Sequence, residues 1–129
     1  MIAAVGTVDG VVLVDAEEEV VLGSGAELPE TVAPPVELPR VVATAGAGPT
    51  VVAVLDRRPP LAISADGGAT WREAGGGLPV GFAVAVAEDD PDRMLYAGRN
   101  RLYLSTDGGV FWRSLALELP DVVALAWID

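Results

Sequence analysis

The sequence predicts an all-β fold, and three observations carry that prediction. The first is a repeated octet: Ser64-Ala65-Asp66-Gly67-Gly68-Ala69-Thr70-Trp71 returns as Ser105-Thr106-Asp107-Gly108-Gly109-Val110-Phe111-Trp112, with the two aspartates 41 residues apart. The second is a Leu-Pro pair at the same period, Leu38-Pro39, Leu78-Pro79 and Leu119-Pro120, each just ahead of an apolar run. The third is the set of short alternating runs, such as Leu61-Ala62-Ile63 and Leu102-Tyr103-Leu104, that lead into each octet and read as strands. A period near 40 marks a tandem unit, and each unit here offers four short strands. Such a unit is the four-stranded blade of a β-propeller.

Labelling the strands A to D outward from the propeller axis, the third unit is the cleanest. Its A strand is expected at 81–87, B at 94–98, C at 101–105 and D at 111–115. The second unit places A at 41–45, B at 51–55, C at 61–64 and D at 71–73, with Arg57-Arg58-Pro59-Pro60 as its B–C turn, where prolines cost no ladder donors. The first unit is incomplete. Residues 2–7 match B, 11–14 match C and 20–23 match D, but Val14 and Ala16 stand where the octet has Ser and Asp, and Glu17-Glu18-Glu19 replaces its glycines. The stretch from Ser24 to Glu37 contains Pro29, Pro34 and Pro35 and is expected to be irregular. Approximate blade limits are 1–37, 38–77 and 78–121.

The octet's chemistry is that of a tight turn. An aspartate accepts hydrogen bonds from N–H groups just beyond it, and the following glycines adopt positive φ without steric cost. Ser64 and Ser105 are expected to complete the bonding, while Trp71 and Trp112 fold back beneath the turn as apolar plugs. The octet resembles the Asp-box, S-x-D-x-G-x-[ST]-W, of BNR-type repeats, which occur in the β-propellers of sialidases, xyloglucan-degrading glucanases, sortilin-like receptors and photosystem II assembly factors. The first copy matches at every motif position; the second departs at Phe111, where Ser or Thr is usual. The resemblance implies a propeller in which Ser64, Asp66, Gly68, Trp71, Ser105, Asp107, Gly109 and Trp112 hold turns on the face away from any catalytic centre.

Composition narrows the chemistry. The chain has 129 residues and a net charge of −11, from nineteen acidic and eight basic side chains, so phosphate backbones repel it and nucleic acid is not an expected partner. It has no cysteine and no histidine, which removes thiol chemistry and His-based triads or zinc sites. No apolar run is long enough to span a bilayer, and the opening Met1-Ile2-Ala3-Ala4-Val5 lacks the charged start of a secretory leader, so a cytoplasmic protein without membrane contact is expected. The acidic run from Glu88 to Asp92 reads as a solvated turn rather than a calcium loop, and neither a metal nor a cofactor is expected.

Strand order suggests where a site lies. B–C and D–A loops share one face of a propeller, and this places Arg40, Arg57, Arg58, Arg99 and Arg101 together, opposite Asp66, Asp107 and the glutamates of residues 17–19. Guanidinium forks suit carboxylate and phosphate, so these arginines are the candidate site for an anionic small molecule or an acidic protein segment. The competing reading is that they are ion-paired, with Glu27, Glu30 and Glu37 as partners. A non-catalytic binding or scaffold module is expected, with a glycosidase-like enzyme of the Asp-box type as the alternative that the resemblance implies. Sialidases resembling this repeat use an arginine triad, a Tyr nucleophile with a partner Glu, and an Asp; here Tyr96 and Tyr103 both fall inside strands, and the Arg-Ile-Pro signature is absent.

The strand count implies a partner. The chain opens on a B strand and closes on an A strand at 122–127, and three blades are too few to close a ring. Two copies joined head to tail, each donating residues 122–127 to the first blade of the other, give a six-bladed homodimer without bare edges. The alternative is a piece of a longer propeller.

Overall fold

The computed structural model describes residues 1–25 and 27–129, and its regular structure is entirely β. Ala26, within the stretch expected to be irregular, lies outside the described residues. Twelve strands run in chain order: β1 Ile2–Thr7, β2 Gly10–Asp15, β3 Val20–Ser24, β4 Val41–Ala47, β5 Thr50–Leu55, β6 Leu61–Ser64, β7 Arg72–Ala74, β8 Ala83–Val86, β9 Met94–Ala97, β10 Leu102–Ser105, β11 Arg113–Ser114 and β12 Val122–Trp127. They form three antiparallel four-stranded sheets, ordered β4-β5-β6-β7, β8-β9-β10-β11 and β12-β1-β2-β3.

The sheets stack as consecutive blades. Strand β8 packs against both β4 and β12, so the sheet β8–β11 is the middle blade, with β4, β8 and β12 innermost. Two apolar layers fill the spaces between blades. One joins Val52, Val54, Leu61 and Ile63 to Val84, Met94 and Tyr96; the other joins Ala3, Val5, Val14 and Leu125 to Leu95, Leu102 and Leu115. Alternation decides which residue goes where, because successive strand side chains face opposite neighbours.

The first blade differs from expectation at one point. Strand β12 completes it, but on its own chain: Ala3 pairs with Trp127, Ala4 with Ala126, Val5 with Leu125 and Gly6 with Ala124. Residues 122–127 therefore pair with β1 of their own chain here, while their donation by a second copy and the homodimeric ring stand as expectations of the sequence. The physical reason lies in the proline-containing connection. The sixteen residues between β3 and β4 can span roughly 50 Å when extended, enough to return from the first blade to the second across the open side of the arc. Its apolar residues anchor at both ends of that crossing. Leu28 lies against Gly6 of the first blade, Pro34 accepts a hydrogen bond from the Thr44 hydroxyl (3.1 Å), and Val36 and Leu38 pack on Ala53, Leu55 and Ala62.

The middle blade shows how tightly the D–A loop is set. The buried Tyr96 donates its hydroxyl to the Pro79 carbonyl, and its ring fills the space where a Cβ on Gly81 would stand. Burial, reinforced by the neighbouring Tyr103, pushes the Tyr96 hydroxyl pKa upward, so it stays protonated as the donor. Gly81→Ala forces the ring or the loop to move, and is expected to destabilise the chain by about 2 kcal/mol. Denaturant unfolding that leaves the midpoint unchanged contradicts this packing.

Candidate functional site

Backbone hydrogen bonds define two faces. On one, Gly67 N–H donates to Pro49 O (2.8 Å) and Gly108 N–H to Asp92 O (3.0 Å), so the octet turns sit beside the A–B turns. On the other, Asp56 N–H donates to Arg40 O and Val8 N–H to Asp121 O, both at 2.9 Å, which joins the B–C turns to the D–A loops. The first is the octet face and the second the loop face.

Each octet is satisfied internally. Ser64 Oγ donates to Asp66 Oδ1 (2.7 Å) and accepts from Gly68 N–H (2.8 Å); Asp66 also accepts from Thr70 N–H (2.8 Å) and the Thr70 hydroxyl (2.6 Å). In the second copy Ser105 Oγ donates to Asp107 Oδ1 (2.8 Å) and accepts from Gly109 N–H (2.9 Å), while Asp107 accepts from Phe111 N–H (3.0 Å). Phenylalanine at 111 leaves out the hydroxyl donor that Thr70 supplies. Gly67, Gly68, Gly108 and Gly109 all take positive φ. The indoles of Trp71 and Trp112 lie against the second glycine of each turn, Gly68 and Gly109, and Trp112 Nε1 donates to Gly109 O (3.0 Å).

Two further features of this face escape the sequence reading. The arginine after each tryptophan ties adjacent blades. Arg72 donates to the Gly108 carbonyl of the next octet, and Arg113 pairs with Glu19 (3.0 Å) and reaches Ala16 O in the first blade's corresponding turn. The repeated Trp-Arg dipeptide was the signal for it. The degenerate first-blade turn also keeps its aspartate, shifted by one residue: Asp15 Oδ1 accepts from Glu17 N–H (3.0 Å) and Glu18 N–H (3.1 Å).

On the loop face the five candidate arginines divide. Arg57 is ion-paired with Glu73, and Arg99 with Asp121 (3.1 Å), rather than with Glu27, Glu30 or Glu37. Arg101 donates to the Ser114 hydroxyl (3.3 Å). Arg40, Arg58 and Arg101 are exposed and hold no ion pair among the described residues. Arg40 adopts φ 62°, a left-handed conformation that sets its carbonyl toward Asp56 N–H. Asp9, Asp56 and Asp121 lie on this face too, so the charge separation is less sharp than the arginine positions alone suggest.

The loop-face ends of the inner strands carry an apolar set. Val42, Phe82 and Val123 each fall four residues after a repeat leucine, at the entrance of an inner strand, and they are 47%, 43% and 58% exposed. Their shared place in the repeat was the available signal. Apolar side chains thus stand exposed at the same repeat position on all three blades.

No protein-family model matches the chain. A search of curated proteins likewise returns no match. Among solved structures, the crystal structure of the GH74 enzyme from Niastella koreensis is similar, at 25% identity and a TM-score of 0.51. The likeness covers 94% of this chain and 18% of that one, so the chain spans less than a fifth of the enzyme's length. It places the chain among propeller-type folds.

The octet bonding has a pH signature. Hydrogen bonds from the Thr70 hydroxyl, the Ser64 hydroxyl and Thr70 N–H hold the Asp66 carboxyl at about 2, below its ordinary 3.8. A depressed folded pKa contributes stability that is fully present above pH ~4 and is lost as pH falls through about 2. Asp66→Asn is therefore expected to flatten the stability profile between pH 4 and 2. Parallel acid unfolding of the two proteins contradicts this.

Proposed function

We propose that the chain is a non-catalytic binding module that receives an acidic segment bearing apolar side chains on its loop face. The carrying observation is the coincidence of Arg40, Arg58 and Arg101, free of ion pairs among the described residues, with the exposed Val42, Phe82 and Val123. Guanidinium forks recognise carboxylates, and the apolar residues offer the burial that converts electrostatic attraction into residence. The internal satisfaction of both octets supports a place among Asp-box propellers, with Asp66 and Asp107 as turn holders.

A glycosidase is the second reading, favoured by the GH74 neighbour. Glycoside hydrolysis needs a carboxylic acid kept protonated near neutrality, facing a second carboxylate. Asp66 and Asp107 are taken up by their own turns and Asp129 by Arg93 and Ile2 N–H, so these three are committed to other partners.

The test is titration with a fluorescent peptide of alternating glutamate and leucine. R40E/R58E/R101E is expected to weaken binding about tenfold or more, and rising salt to weaken the wild type. Undiminished binding by the triple variant defeats the proposal. Release of sugar from a β-glucan oligosaccharide panel moves the chain to the second reading.

A further inference from the structure

The octet-face ends of the inner strands have different chemistry. An open cavity of about 870 Å³ is lined by the inner strands β4, β8 and β12 and by residues 29–32 of the crossing segment. Gly48 and Glu88, at the A–B ends of their strands, are part of its rim, so it opens toward the octet face. Its volume is in the range of sites that hold small ligands. The three inner strands are edge strands of their sheets, and small residues such as Ala45, Gly46, Ala85 and Ala126 leave the space open between them.

The charged side chains lining it are all acidic: Glu30 on the crossing segment, Glu88 beyond β8 and Asp129 beyond β12. Asp129 is already engaged, by Arg93 (3.3 Å) and Ile2 N–H (2.7 Å). Glu30 and Glu88 have no ion-pair partner among the described residues. A cleft lined by one sign of charge, with low-dielectric walls, focuses its field and concentrates counter-ions. The carboxylates are spread over separate walls, and among the described residues no three acidic side chains gather into a group able to hold a metal ion. An elongated cation suits carboxylates carried on different elements, Glu30 on the crossing segment and Glu88 beyond β8.

We propose that this cavity binds a linear oligoamine, with protonated amines directed to Glu30 and Glu88 and methylene spacers lying along Val84, Val86 and Leu125. Alkylammonium groups of that kind come from a free polyamine or from the lysines of a flexible segment, and the shared chemistry is the cationic head on an apolar stem. The site is independent of the loop-face arginines.

Calorimetric titration of the full chain with spermidine, repeated with a tetralysine peptide, tests the assignment. Saturable one-to-one binding of at least one probe is expected, and the tighter probe identifies the source. Because a chain of charge −11 attracts any polycation, two charge-matched double variants are compared. E30Q/E88Q is expected to weaken binding about tenfold, and E17Q/E18Q, which removes the same charge from an exposed octet-face turn, less than twofold. All four side chains are exposed, and thermal unfolding of both variants checks that the loss is not unfolding. Equal losses in the two variants, absence of saturable heat with both probes, or displacement by equimolar magnesium overturns the proposal.

Discussion

The pairing of β12 with β1 is the constraint on which the arrangement of the molecule depends. It brings the end of the third repeat unit onto the opening strand of the first, so the first blade follows the third in space although it precedes the second in sequence. Side-chain contacts reinforce the join. Trp127 Nε1 donates to Ala85 O (3.3 Å), and the Arg93 guanidinium lies 4.6 Å from the Trp127 ring centroid while bonding Asp129. Without this join, β1 and β12 would each present a bare apolar edge. With it, β8 has a neighbour on both sides and the channel has three walls.

The repeat supplies a second level of order. The octets lock their own turns, and the arginine that follows each one reaches into the next blade, from the second to the third and from the third to the first. One dipeptide thus serves both cohesion within a blade and register between blades. In the first blade the octet has decayed and Val20, Val21 and Leu22 lie exposed where the tie would start.

Strand positions were largely legible in the sequence because alternation and turn chemistry are local. Residues 2–7, 61–64 and 122–127 were expected as strands and are strands to the residue, whereas the outermost strands at 72–74 and 113–114 are shorter or later than expected. The origin of the completing strand was not legible, since an edge strand's sequence carries no record of which chain it will pair with. The same limit applies to side-chain partners. Arg57 meets Glu73 on its own blade, and Arg99 meets Asp121 at the entrance of β12, pairings fixed by three-dimensional register rather than by motif. Apart from Ser24, which ends β3, the described residues of the proline-containing stretch are irregular as expected. Its role in covering Ala53, Leu55 and Ala62 depends on the blade order and so could not be read from composition.

The channel therefore has two ends of unlike character, one set by arginines and exposed valine and phenylalanine, the other by carboxylates around a cavity. The cavity depends on β12 lying beside β8 in the first blade. The most direct measurement exploits the absence of cysteine from the sequence. Ala4 and Ala126 are direct cross-strand partners, a separation compatible with a disulfide. Oxidised A4C/A126C is predicted to run as a single chain on a non-reducing gel and to be two hydrogens lighter by mass spectrometry. Disulfide-linked dimers at low protein concentration would show that the strand is donated between copies and would contradict the account.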